Sequence, residues 1–163
     1  MAPLPVVRMD FPYRKAGRKA PDMAPVLIRS VVEEAEAFAA SLGMGTADLV
    51  LGGRSMGGRM CSMAVAEGLP AAGLVLLAYP LHPPGRPERL RVDHLPDLRV
   101  PCLFVSGTRD PFGTPDELSA ATALVGGPVT VHWVEGGGHD LRRADAAVAA
   151  VVAEWVAALP GGR

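Results

Sequence analysis

The stretch LVLGGRSMGGRM (49–60) carries an apolar run into four glycines, with one serine set between an arginine and a methionine. ADLVLGG (47–53) has the length and apolarity of a buried strand. Beyond the glycines, Met60, Ala64 and Val65 have helical spacing, and the helix is expected to end near Gly68. Gly53-Arg54-Ser55-Met56-Gly57 matches G-x-S-x-G, the pattern that seats a serine on a sharp, strained turn from strand to helix. Glycine is expected two positions before and after that serine, where a Cβ would collide with neighbouring elements, and Gly58 lets the helix press on the strand. Such a turn exposes the Ser55 hydroxyl and aims a helix amino end at it, which favours developing negative charge.

Working outward, strands and helices alternate. LPVVRMDF (4–11) reads as a short β-branched run. Residues 25–42 place Leu27, Val31, Ala35, Phe38 and Leu42 on one face and Arg29, Glu33 and Glu36 on another, an amphipathic helix closed by Gly43. AGLVLLAYP (72–80) and PCLFVSG (101–107) are apolar on both faces, as parallel strands covered by helices are. Thr114-Pro115-Asp116-Glu117 is a helix start, with a hydroxyl cap, proline in the first turn and glutamate three positions on, and that helix is expected to run to about Val125. VTVHWV (129–134) is the last strand, and 145–159 the last helix. The alternation predicts an α/β fold in a single domain over 1–163: a mostly parallel sheet with helices on both faces.

Composition bounds the function. A net charge of −1, with cations that are mostly arginines scattered singly, presents no basic stripe for nucleic acid. Apolar runs break before 18 residues, so no spanning helix is expected, and the start, MAPLPVVRMD, has no secretory pattern. Cys61 and Cys102 lie in apolar surroundings without CxxC spacing and read as reduced core thiols of a cytoplasmic protein. There is no HExxH, and the histidines and cysteines lack ligand spacing, so neither a metal nor another cofactor is expected.

In sheets of this kind, chemistry gathers at the carboxyl ends of the strands. A G-x-S-x-G serine of this type takes its partners in the order acid, then histidine, each after a later strand. Gly107-Thr108-Arg109-Asp110-Pro111-Phe112 follows one strand, and Glu135-Gly136-Gly137-Gly138-His139-Asp140 follows another. Asp110 and His139 therefore fill the two slots. The rival acids have blander readings: Asp116 belongs to a helix amino terminus, and Asp140 lies on the wrong side of the histidine to orient it. His82, His94 and His132 read as structural or exposed, His132 because it lies mid-strand.

These residues resemble the α/β-hydrolase superfamily. Within it, the chain is similar to compact hydrolase-like domains of the testis-expressed and NSL-complex-subunit type, and to dienelactone hydrolases. DFPYRKAGRKAPD (10–22), LVLGGRSMGGRM (49–60), LLAYPLHPPGRPERLRVDHL (76–95), LFVSGTRDPFG (103–113) and VEGGGHDL (134–141) carry the likeness over nearly the whole chain. It implies Ser55 as nucleophile, His139 as general base and acid, Asp110 as the orienting acid, and the Met56 backbone N–H as one oxyanion donor. The activity implied is that of an esterase or thioesterase on a small acyl substrate. The roughly twenty residues between the strands at 72–80 and 101–107, stiffened by Pro80, Pro83, Pro84, Pro87 and Pro96, are too few for a large mobile cap.

The second oxyanion donor of the superfamily is often written His-Gly, and none of the four histidines here is followed by glycine. By the likeness, residues 4–11 match the strand after that loop. The chain is thus expected to start downstream of the loop and to leave one edge of the serine strand free for self-association. A second reading stays open beside the hydrolase: a non-catalytic, hydrolase-like interaction domain or an inactive truncated product.

Overall fold

The computed structural model describes residues 4–160. Along the chain lie helices α1 (Pro12–Lys15) and α2 (Ala24–Ser41), strand β1 (Val50–Arg54), helix α3 (Met56–Ala66) and strand β2 (Gly73–Leu77). Strand β3 (Cys102–Gly107), helix α4 (Pro115–Thr122), strand β4 (Val129–Val134) and helix α5 (Asp145–Ala157) follow. The four strands pair in the order β1-β2-β3-β4, all parallel. Every strand therefore ends on the same edge of the sheet.

Alternation within the strands explains their apolarity on both sides. Leu74 and Leu76 of β2, with Cys102 and Phe104 of β3, face a core closed by α2 and α3 through Leu27, Val31, Met60 and Ala64. Their neighbours Val75, Leu103 and Val105 face the opposite way, onto Leu141, Ala144 and Val148, with Trp155 of α5 packed at the margin. Two burial faces per strand require near-continuous hydrophobic sequence, and a parallel sheet can satisfy it only between helix layers.

Burial settles the thiols as well. Cys61 and Cys102 are free and buried, and desolvation pushes their pKa values up to about 11 and about 12. Both stay protonated and inert near neutrality.

Several boundaries differ from the sequence reading. β1 starts at Val50 because Thr46–Asp48 form a 3₁₀ turn in which the Asp48 carboxylate accepts from the Gly45 N–H. α4 stops at Thr122, where i→i+3 bonds from Leu124 and Val125 tighten the exit. The larger correction is LPVVRMDF (4–11), which forms no strand. Leu4 and Val6 are 64% and 81% exposed. A β-branched composition makes a strand only where a partner supplies hydrogen bonds and a packing face. None of the described strands pairs with this run, and β1 is paired on its β2 side alone.

The segment between β2 and β3 is bound into the core. Leu81, Leu95 and Leu98 are fully buried. The Tyr79 hydroxyl donates to the Arg91 carbonyl at 2.7 Å, and the Arg91 N–H donates to the Leu81 carbonyl at 2.8 Å. Ser62 on α3, with no exposed surface, donates to the Arg59 carbonyl at 2.7 Å; its single proton thus spent, it accepts from His94 Nε2 at 2.8 Å. His94 is accordingly neutral: burial first, then the Arg59 charge, holds its pKa down to about 4 against the ordinary 6.5. The segment is a clamped plug and not a cap.

Two predictions follow from this packing. A Cβ on Gly58 would meet the Gly53 carbonyl oxygen at 2.5 Å, whereas one on Gly57 would meet nothing within 4 Å. Gly58→Ala should cost about 1–3 kcal/mol by overpacking. Gly57→Ala should be neutral or slightly stabilising, since alanine is the better helix former; a lower melting temperature for Gly57→Ala than for Gly58→Ala would contradict this geometry. His94 makes stability fall on acidification. Between the unfolded pKa of 6.5 and about 4 the unfolded chain binds the extra proton, so stability drops as pH falls through that window. His94→Gln should flatten that part of the melting-temperature profile, and an unchanged slope would exclude His94 as its source.

Candidate functional site

The site starts from a backbone constraint. Ser55 lies at φ 53° and ψ −123°, a conformation that non-glycine residues avoid. It is held there because its N–H donates to the Leu77 carbonyl at 2.8 Å, extending the β1–β2 ladder one residue past the strand while α3 already starts at Met56. Changing direction so abruptly drives strand against helix. A Cβ on Gly53 would meet the backbone of Gly57 and Gly58 at 2.7 and 2.8 Å. The collision expected on both sides of the serine is thus real at Gly53 and Gly58 but not at Gly57, where the space is open.

The acid and the histidine come from loops locked to each other. A Cβ on Gly107 would overlap the Gly137 carbonyl, so the β3 exit can touch the β4 exit only as glycine. Across this contact the Arg109 N–H donates to the Gly137 carbonyl at 2.9 Å, and the Gly136 N–H donates to Thr108 Oγ1 at 2.8 Å. Asp110 ends 4% exposed, with Oδ1 accepting from the Phe112 N–H at 2.8 Å.

The three side chains meet in line. His139 Nδ1 lies 2.8 Å from Asp110 Oδ2 and 3.0 Å from Oδ1, and Nε2 lies 2.7 Å from Ser55 Oγ. An ionised carboxylate can only accept, so Nδ1 carries the ring proton and Nε2 presents its lone pair to the serine hydroxyl. The N–H of Met56, in the first turn of α3, has no intrahelical acceptor and lies next to Ser55.

The remaining candidates are elsewhere. Asp116 lies in the first turn of α4, where Thr114 and Glu117 form a reciprocal cap. Asp140 is exposed and pairs with Arg142. His82 is buried between the Pro83 carbonyl and Glu117, with its pKa raised first by that carbonyl. His132 lies midway along β4, an edge strand of the described sheet, in register with Val105.

Two contacts escaped the sequence reading. Phe112 stacks on the His139 ring at 3.9 Å between centroids and 24° between planes. Arg54 Nη1 donates to the Asp140 carbonyl at 3.2 Å, tying the serine turn to the histidine loop. The x positions of G-x-S-x-G and the residue two past the acid carry no pattern of their own; their adjacency to the reactive residues was the one available signal. Among the described residues, no group of three or more His, Cys, Asp or Glu could hold a metal ion, and no helix is long and apolar enough to cross a membrane.

Solved structures share this architecture. A puromycin hydrolase aligns with a TM-score of 0.64 and 22% identity over 85% of this chain and 27% of its own. A dienelactone hydrolase from Anabaena variabilis aligns with a TM-score of 0.66 and 19% identity over 83% and 61%. The Bacillus cereus carboxylesterase aligns with a TM-score of 0.58 and 19% identity over 81% and 59%. The chain thus spans about a quarter of the first protein and about three fifths of the other two. A family model for an alpha/beta hydrolase domain matches residues 2–157. With the parallel sheet and helices on both its faces, that match establishes that the chain belongs to the alpha/beta hydrolase family.

Proposed function

We propose that this chain is a serine hydrolase of esterase or thioesterase type, working on a small acyl substrate through Ser55, His139 and Asp110. The observation that carries the reading is the hydrogen-bonded line from buried carboxylate to imidazole to a serine on a strained turn. Membership of a hydrolase family supports it.

The chemistry follows from where the protons lie. As Ser55 Oγ attacks the substrate carbonyl carbon, its proton passes to His139 Nε2, and Asp110 stabilises the imidazolium that forms. The carbonyl oxygen becomes an oxyanion beside the α3 amino end, where the Met56 N–H donates to it. His139 returns the proton to the leaving alcohol or thiol as the tetrahedral adduct collapses, leaving an ester on Ser55. Water then repeats the cycle: His139 removes its proton, the acyl group leaves as a carboxylic acid, and Ser55 regains its hydrogen. Phe112 fills one face of the ring and limits its rotation away from this line.

Ser55 should be the only serine labelled by a fluorophosphonate, since Ser30, Ser41, Ser62, Ser106 and Ser119 lie in helices or strands. Mass spectrometry of the labelled full chain tests this. Modification elsewhere, or undiminished labelling of Ser55→Ala, would overturn the assignment; labelling without turnover of any ester would favour the non-catalytic reading.

Asp110→Asn should lower kcat for p-nitrophenyl acetate severely, since an amide favours the wrong histidine tautomer; the loss is about ten-thousand-fold in the well-studied serine protease triad. Asp116→Asn and Asp140→Asn should leave kcat within about a factor of two, because neither acid touches His139. A slow Asp140→Asn with a fast Asp110→Asn would displace the proposed acid.

A further inference from the structure

The stretch LLAYPLHPPGRPERLRVDHL (76–95) is part of the family likeness, yet its first histidine takes no part in the proton transfers. His82 is 5% exposed, and both of its ring nitrogens face oxygens. Nδ1 lies 2.8 Å from the Pro83 carbonyl oxygen, and Nε2 lies 3.1 Å from Glu117 Oε2. A carbonyl and a carboxylate can only accept, so each nitrogen needs a proton of its own. A neutral ring would turn a lone pair on one of the two. Only the imidazolium satisfies both.

Glu117 is held in its charged form. Its Oε2 also accepts from the Thr114 N–H at 2.8 Å and from Thr114 Oγ1 at 3.0 Å, and these bonds, the backbone one first, lower its pKa. Glu117 thus supports the charge on His82 from α4, while Arg91 opposes it from the β2–β3 segment. The β3–α4 loop meets His82 through the uncharged Phe112 carbonyl, and Asp110 of that loop is bonded to His139 and to the Phe112 N–H.

His82 therefore grips the chain after β3 in two places. Its backbone N–H donates to the Phe112 carbonyl at 3.0 Å, and its ring holds Glu117 in the first turn of α4. Between them Gly113 is seated on Leu81, where an added Cβ would lie 3.1 Å from the Leu81 Cβ. Phe112 passes the grip to the reactive groups. Its N–H donates to Asp110 Oδ1 at 2.8 Å, and its ring stacks on His139 at 3.9 Å.

We infer that His82 is a positioning residue for the hydrolysis, a buried imidazolium that pins the chain from Asp110 to Glu117 and acts on His139 through Phe112. The kinetic consequence rests on the hydrolase reading; the linkage between the two histidines does not. The Pro83 carbonyl first, then Glu117, raises the pKa of His82 above the ordinary 6.5 against the effect of burial. The grip is therefore complete below 6.5 and is lost as pH rises through the higher folded value. Hydrolysis needs a neutral His139, so the rate should first climb with pH and then fall as His82 gives up its proton.

The test uses two readouts on the full chain. In ¹⁵N-histidine-labelled protein at neutral pH, both His82 nitrogens should carry protons. The His139 ring signals should move a second time as His82 titrates at higher pH. His82→Gln, which cannot take up a proton, assigns the His82 signals by their loss and should abolish that second movement. The other readout is the pH profile of kcat/KM for p-nitrophenyl acetate. It should fall about tenfold across the His82 titration, the size of one hydrogen bond to a charged group, and lose that alkaline fall in His82→Gln. Glu117→Gln keeps the α4 cap but removes the charge, so it should move the fall to lower pH; it carries the test should His82→Gln fail to fold. A single neutral tautomer of His82 at neutral pH, no alkaline fall, or a fall that survives His82→Gln or stays put in Glu117→Gln overturns the proposal. If no ester is turned over while His139 still follows His82, the linkage stands and the hydrolase reading falls; turnover with His139 signals that ignore His82 gives the reverse.

Discussion

The serine turn is a backbone held where a side chain would not choose to go. Conformations such as that of Ser55 cost about 1–3 kcal/mol and persist only when their surroundings leave no alternative. Here the constraint has two sources. The β1–β2 ladder claims the Ser55 N–H, and the Gly53–Gly58 contact lets α3 turn back immediately across the strand. If either slackened, the hydroxyl would relax away from His139 Nε2, with only its own hydrogen bond to that ring and the Arg54–Asp140 contact left to hold the turn to the histidine loop.

The other half of the site depends on a different close approach. Gly107 lies against Gly137, and hydrogen bonds from Gly136 and Arg109 fasten the two loops around that contact. Because β3 and β4 pair in parallel register from Cys102–Val129 to Gly107–Val134, their exits are neighbours by construction. Acid and histidine therefore meet across a rigid seam. The seam is braced from behind: the His82 N–H donates to the Phe112 carbonyl at 3.0 Å, and Phe112 lies on the His139 ring.

That brace gives the β2–β3 segment a second role. Leu81, Leu95 and Leu98 bury it in the core, and its polar groups reach the acid loop at one end and α3 at the other. A segment held at so many points has few ways to open, so access to Ser55 is governed by the fixed shape around it. Acid weakens the plug through His94, whose neutral ring is part of what joins it to α3.

What the sequence determined alone was whatever a local pattern dictates: four apolar strands, the Thr114–Glu117 cap, the glycine-flanked serine, and the order of serine, acid and histidine at strand ends. The strands, the cap and the serine turn follow from periodicity and steric demand within about a dozen residues, and the order of the three reactive residues follows from where successive strands end, which is why each appears near its expected position. Pairing lies outside such patterns. Residues 4–11 have a strand's composition and no strand's partner, so the run forms no strand: Leu4, Val6 and Val7 are exposed, while Met9 and Phe11 pack against the core. Gly57 matches the motif yet has open space around it, because the collision that demands glycine comes from Gly53 folding back onto Gly58. Phe112 on His139 and Arg54 on Asp140 join positions that are distant in the chain and carry no periodic signal. Only tertiary structure decides them, because they arise when the parallel register of the sheet brings separate strand ends to one edge.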